Sequence, residues 1–86
     1  MIIIPISAVG PYRTGSIKGY STEKISEILG FEPNVQDDPD KVSHSWGFLA
    51  DESQCGIWSY KGSEMALIFS TYGPQEVFDQ LFPSKV

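Results

Sequence analysis

Cysteine and histidine are nearly missing from this chain: of 86 residues, one is cysteine and one is histidine. A lone thiol, Cys55, closes no intramolecular disulfide, which excludes a disulfide-stapled secreted scaffold and suits a reducing cytoplasm. One Cys and one His also fall short of any zinc-ligand pattern. Positive charge is scarce, with six Lys and Arg against eleven Asp and Glu for a net charge of −5. The general attraction to phosphate that drives DNA or RNA binding is therefore lacking, and no nucleic-acid partner is expected. Long apolar runs are missing as well. The opening MIIIPISAVG has no basic residue before its apolar stretch and is interrupted by Pro5, so it reads as a strand rather than a signal peptide or a membrane span.

Hydrophobic residues make up 41% of the chain and aromatic residues 13%, which places it among ordinary globular proteins. The length specifies a single α+β domain over residues 1–86, in which a small core has to pack efficiently. The acids are dispersed except for Glu32, Asp37, Asp38 and Asp40, too diluted to imitate a nucleic acid.

Along the chain, Ile2 to Val9 reads as a strand at an edge or restarted after Pro5, and SIKGY, residues 16–20, as a second short extended piece. In STEKISEILGF, Ser21 or Thr22 is placed to cap a helix, Glu23 sits where the helix dipole favours an acid, and Gly30 is placed to close the end. Ile25, Ile28 and Leu29 fall on one stripe of that helix. Residues 32–41, EPNVQDDPDK, carry loop chemistry. Three strand-like runs follow, VSHSWGFLA, QCGIWSYK and EMALIFSTY, and their short connections make them antiparallel neighbours. GPQEVFDQLF then starts a second helix, with Gly73 as N-cap and Pro74 at the first helical position. The expected fold is an antiparallel meander sheet of three to four strands with two helices packed on one face.

Such a sheet carries more bulky apolar groups than two short helices can cover. The connection centred on Lys61 and Gly62 has an even length in both of its expected forms, which places Trp58 and Tyr60 on one face with Met65, Leu67 and Phe69. The turn at Asp51, Glu52 and Ser53 leaves open whether Trp46 joins Trp58 or Ile57. Two readings follow. In one, the N-terminal strand and the long loop cover the second face, the more ordinary outcome because aromatic residues mostly belong to cores. In the other, part of an aromatic face stays exposed and serves as an interface, since binding energy concentrates on such residues. The candidate binding residues are Trp46, Trp58, Tyr60 and Lys61.

Other chemistry is thinly represented. GPYRTGS has the glycine spacing of a phosphate-binding loop, but Ser16 and Ile17 stand where that loop needs Lys and a hydroxyl residue. Cys55 and His44 lie too far apart on neighbouring strands to form a nucleophilic pair. DDPDK lacks the glycine and distal Glu of a calcium loop, so no metal is expected. No catalytic residue and no cofactor is assigned, because no two carboxylates are singled out by spacing.

Gly19-Tyr20, Trp46 and Ile57-Trp58-Ser59-Tyr60-Lys61 resemble small proteins of bacterial mobile elements, phages and integron cassettes among them, over residues 16–82. In that pattern an acid often holds the place of Ser59. The resemblance implies an accessory role in bacterial cytoplasm and transfers no activity. The expectation is a non-enzymatic module binding a protein partner or its own copy through the aromatic sheet face. The alternative is a binder of a small apolar or cationic ligand stacked by Trp46, Trp58 and Tyr60 between helix and sheet.

Overall fold

The computed structural model describes residues 1–8, 10–36, 42–62 and 66–83. The acids Asp37, Asp38 and Asp40, together with Glu64 and Met65, lie outside them.

Seven elements follow in the order β1 (Ile3–Pro5), β2 (Gly15–Lys18), α1 (Thr22–Leu29), β3 (Val42–Ala50), β4 (Ser53–Tyr60), β5 (Ile68–Tyr72) and α2 (Gln75–Leu81). The strands form one antiparallel sheet in the order β1-β3-β4-β5-β2. The class is α+β, but with five strands rather than three to four. Both short N-terminal pieces become strands, and they take opposite edges of the sheet around the expected meander.

Helix α1 forms as its local sequence dictates. The Ser21 hydroxyl accepts from the Lys24 N–H at 3.1 Å, satisfying one of the donors that a helix start leaves free. Gly30 closes the helix at φ 91°, a left-handed conformation that glycine adopts without a Cβ penalty. In α2 the cap is Pro74 and not Gly73, one residue later than the sequence pattern suggests. The two helices are tied end to start: the Tyr20 hydroxyl donates to the Pro83 carbonyl at 2.6 Å, and its ring meets Phe82 edge-on.

Register decides what each sheet face carries. The β3–β4 turn is a two-residue loop, Asp51 and Glu52, flanked by the pair Ala50 and Ser53. This places Trp46 opposite Ile57 and Phe48 opposite Cys55. Ile57 in turn faces Thr71, and Phe69 faces Ile17. These side chains make one face, over which Ile25 and Leu29 of α1 and Val77 and Phe78 of α2 pack in a single apolar cluster. An edge-on contact of Trp46 with Phe69 ties β3 to β5 across the sheet surface, and one of Phe48 with Phe78 binds sheet to helix. Each such side chain contributes about 1.5–3 kcal/mol by leaving water.

Between β4 and β5 the register departs from the even-loop expectation. Trp58 pairs with Ser70, so Trp58 and Tyr60 share a face with Ile68 and not with Phe69. β4 ends at Tyr60 and β5 starts only at Ile68, so the connection 61–67 has an odd rather than an even number of residues; Leu67, its last residue, has φ 56°.

The second sheet face is crossed by the chain itself. Since β1 and β2 lie at opposite edges, the described residues between them, 6–8 and 10–14, lie against that face like a strap. Ile6 N–H donates to the Gly47 carbonyl at 2.9 Å. A Cβ on Gly47 would overlap the Ala8 carbonyl oxygen, so only glycine permits the crossing. Gly47 is paired with buried Gly56, and Gly56 with Tyr72. The strap follows this row: Gly10 lies against the Tyr72 ring, Tyr12 meets Tyr72 edge-on at 5.3 Å, and Thr14 N–H donates to the Thr71 carbonyl. The N-terminal region does cover part of the second face, through this strap rather than through a strand.

Candidate functional site: the uncovered end of the second sheet face

The four residues that the sequence singles out are not brought together. Trp46 is 0% exposed in the helix-covered core. Trp58 points from the opposite face, in a row with Ser45, Ser70 and Ser16, and is 7% exposed. It lies beside the row that the strap covers, which removes it from solvent without joining it to the main core. Tyr60 remains 48% exposed, and Lys61 is exposed in the turn that follows. Trp46 therefore cannot stack with Trp58 and Tyr60 on one ligand, because the sheet stands between them. The helix–sheet layer is occupied by Trp46, Phe48, Ile57 and Phe69, all fully buried.

The second face is open in two places: at β1, where Ile4 opposite Leu49 is 50% exposed, and at its end beyond Trp58. Continuing the register from Trp58–Ser70 by two residues sets Tyr60 beside Ile68, which is 40% exposed, and Leu67 adjoins at 37%. Lys18 is the direct partner of Ile68 on the other side. The result is a small aromatic and aliphatic surface with a lysine at each flank, Lys18 and Lys61, on a chain whose net charge is −5. Ile68 is a residue that sequence reasoning missed, while Leu67 is expected on the face of Tyr60 without being named among the candidate binding residues. Their exposure depends on where β5 begins, and no glycine marks the left-handed turn at Leu67.

Elsewhere, Glu23, Ser26, Glu27, Gly30, Phe31 and Glu32 line a wide, open depression of about 450 Å³ beside α1. The Ser26 hydroxyl there donates to Glu32 Oε2 at 3.5 Å. Cys55 is buried under the helices, and burial pushes its thiol pKa up to about 11, a backbone hydrogen bond at Ala50 offsetting part of the rise. A thiol held protonated in this way is a poor nucleophile. His44 pairs with Ser59, while Cys55 pairs with Phe48 four residues away from His44, a separation of about 13 Å along the strand. Among the described residues no group of three or more His, Cys, Asp or Glu side chains is placed to hold a metal ion, and no helix is long and apolar enough to cross a membrane.

Comparison with known protein families, with characterised proteins and with solved structures gave no match.

Proposed function

We propose that this chain is a small non-enzymatic interaction module of the bacterial cytoplasm, an accessory protein of a mobile element, that grips a protein partner through Tyr60, Ile68 and Leu67. The observation that carries this reading is the exposure of Tyr60 and Ile68 on neighbouring strands, with exposed Leu67 next to Ile68 in the chain, where the strap and the helices leave the sheet uncovered. A half-exposed tyrosine with aliphatic neighbours supplies the apolar centre of a contact. Lys18 and Lys61 at its rim select a partner that presents acidic groups around an apolar anchor, and they act mainly on encounter rate and specificity.

The test is site-specific photo-crosslinking in bacterial cells, with a photoreactive amino acid replacing Tyr60 and, as control, replacing exposed Glu27 on α1. The expected result is a discrete heterologous adduct from position 60 alone, lost when Ile68→Lys is added. Equal labelling from both positions, or no loss with Ile68→Lys, sinks the proposal. An adduct at twice the mass of the chain, with a concentration-dependent dimer in solution, would reassign the surface to self-association.

A further inference from the structure

Four buried side-chain atoms among the described residues have no hydrogen-bond partner: His44 Nδ1, Ser45 Oγ, Trp46 Nε1 and Ser59 Oγ. Ser45 belongs to the second face, beside Trp58. The other three share the helix-covered face at one end of β3 and β4. His44 and Ser59 are direct cross-strand partners, which sets their Cβ atoms about 4.5–5.5 Å apart. The His44 imidazole stacks on the Trp46 indole, with ring centroids 6.3 Å apart and planes inclined by 26°. Trp46 and Ser59 are completely buried.

Native proteins rarely strand one such group, and three within a single register step are a cluster that calls for a ligand. The side-chain chemistry restricts what that ligand is. An indole N–H only donates, a hydroxyl donates and accepts, and Nδ1 of a neutral imidazole does either according to tautomer. The ligand must therefore accept from Trp46 while exchanging hydrogen bonds with the other two. A neutral ligand suits the corner better than an anion: among the described residues, Arg13, Lys18, Lys24 and Lys61 are all exposed, and none of them lies buried there to compensate a charge. It must be compact, since Trp46, Ile57 and Phe69 fill the adjoining layer.

We propose that one buried water molecule is a structural ligand of this corner, accepting from Trp46 Nε1–H and bridging the Ser59 hydroxyl to His44 Nδ1. About three polar partners are what an internal water ordinarily has. With it, a polar cluster in the core is satisfied without any second protein group.

The experiment is water-selective NMR on the wild-type protein, reading cross-relaxation from water to the indole N–H proton of Trp46. A direct, long-lived contact is expected, and Ser59→Ala should weaken it several-fold while shifting the Trp46 indole resonance. Absence of that contact in the wild type overturns the proposal, as does a high-resolution crystal structure in which Trp46 Nε1 donates to a protein atom. The wild-type measurement decides the matter even if Ser59→Ala fails to fold.

Discussion

The carboxamide of Asn34 pairs with the backbone of Gly47 as a strand residue would. Gly47 N–H donates to Asn34 Oδ1 at 2.9 Å, and Asn34 Nδ2 donates to the Gly47 carbonyl at 3.1 Å and to the Ile6 carbonyl at 2.9 Å. One side chain thus fills the edge of β3 where β1 ends and holds the start of the strap against it. Asn34→Ala removes three hydrogen bonds and strands the Gly47 donor, a loss of about 2 kcal/mol. Asn34→Asp should be worse at neutral pH, because a carboxylate would face two carbonyl oxygens, raising its pKa. The penalty should shrink as pH falls toward 4 and the acid takes up its proton. Urea unfolding of both variants at the two pH values checks the pattern.

Gly47→Ala places a methyl group inside contact distance of the Ala8 carbonyl, which is backbone and cannot rotate away. The strap has to lift, at a cost of about 3 kcal/mol, the upper range for an overfilled site. Because the strap row adjoins Trp58, the expected signature beyond lowered stability is a red shift and easier quenching of one tryptophan in the folded variant. A Gly47→Ala protein with wild-type fluorescence and stability would contradict this packing.

The β3–β4 turn carries strain that a substitution can relieve. Asp51 and Glu52 have φ 47° and 75°, the double positive φ of a type I′ hairpin loop. Asp51 uses its place: its Oδ1 accepts from the Ile2 N–H at 2.8 Å, and short polar side chains tolerate this conformation. Glu52 has no such compensation among the hydrogen bonds of this turn. Glu52→Gly should therefore stabilise the protein by about 1 kcal/mol, whereas Asp51→Gly should gain less because it forfeits the bond to Ile2. Thermal melting of the pair distinguishes the two.

Cys55 makes stability fall with rising pH in an identifiable window. Its thiol is raised from an ordinary 9.0 to about 11 in the folded chain, so between these values the unfolded state has released a proton that the native state retains. Stability contributed by the protonated thiol is intact below pH 9 and declines above it, by about 2–3 kcal/mol once both states are ionised. Comparison with Cys55→Ala, whose unfolding free energy should decline less over the same range, isolates this contribution. In the native protein the thiol should react with a disulfide reagent only as fast as the chain opens.

Much of this architecture is legible in the sequence where the determinants are local. Ser21, Glu23 and Gly30 mark α1, and the stripe Ile25, Ile28 and Leu29 orients it, because capping and helical period are read within a dozen residues. The meander strands stand out for the same reason. Facing is harder. The assignment of Trp58 and Tyr60 to the face of Phe69 failed because strand parity depends on where β5 resumes, at Ile68 after the connection 61–67, and no residue type there marks that point in the sequence. Trp46 looked as suitable for binding as Tyr60 since exposure belongs to the assembled layers and not to the residue. The strap had a signal that becomes readable once the turn is fixed: Gly47 and Gly56 each lie four positions from the loop residues Asp51 and Glu52, so they must pair and open a channel across the sheet.

That the two outermost strands are also the first two in the chain bears on how the protein is made. A ribosome releases Ile3–Pro5 and Gly15–Lys18 well before their neighbours β3 and β5 exist. Ile3–Pro5 has no strand to pair with until β3 is made, and Gly15–Lys18 none until β5 is. The strap between them can be anchored at both borders only once the whole ribbon has been synthesised.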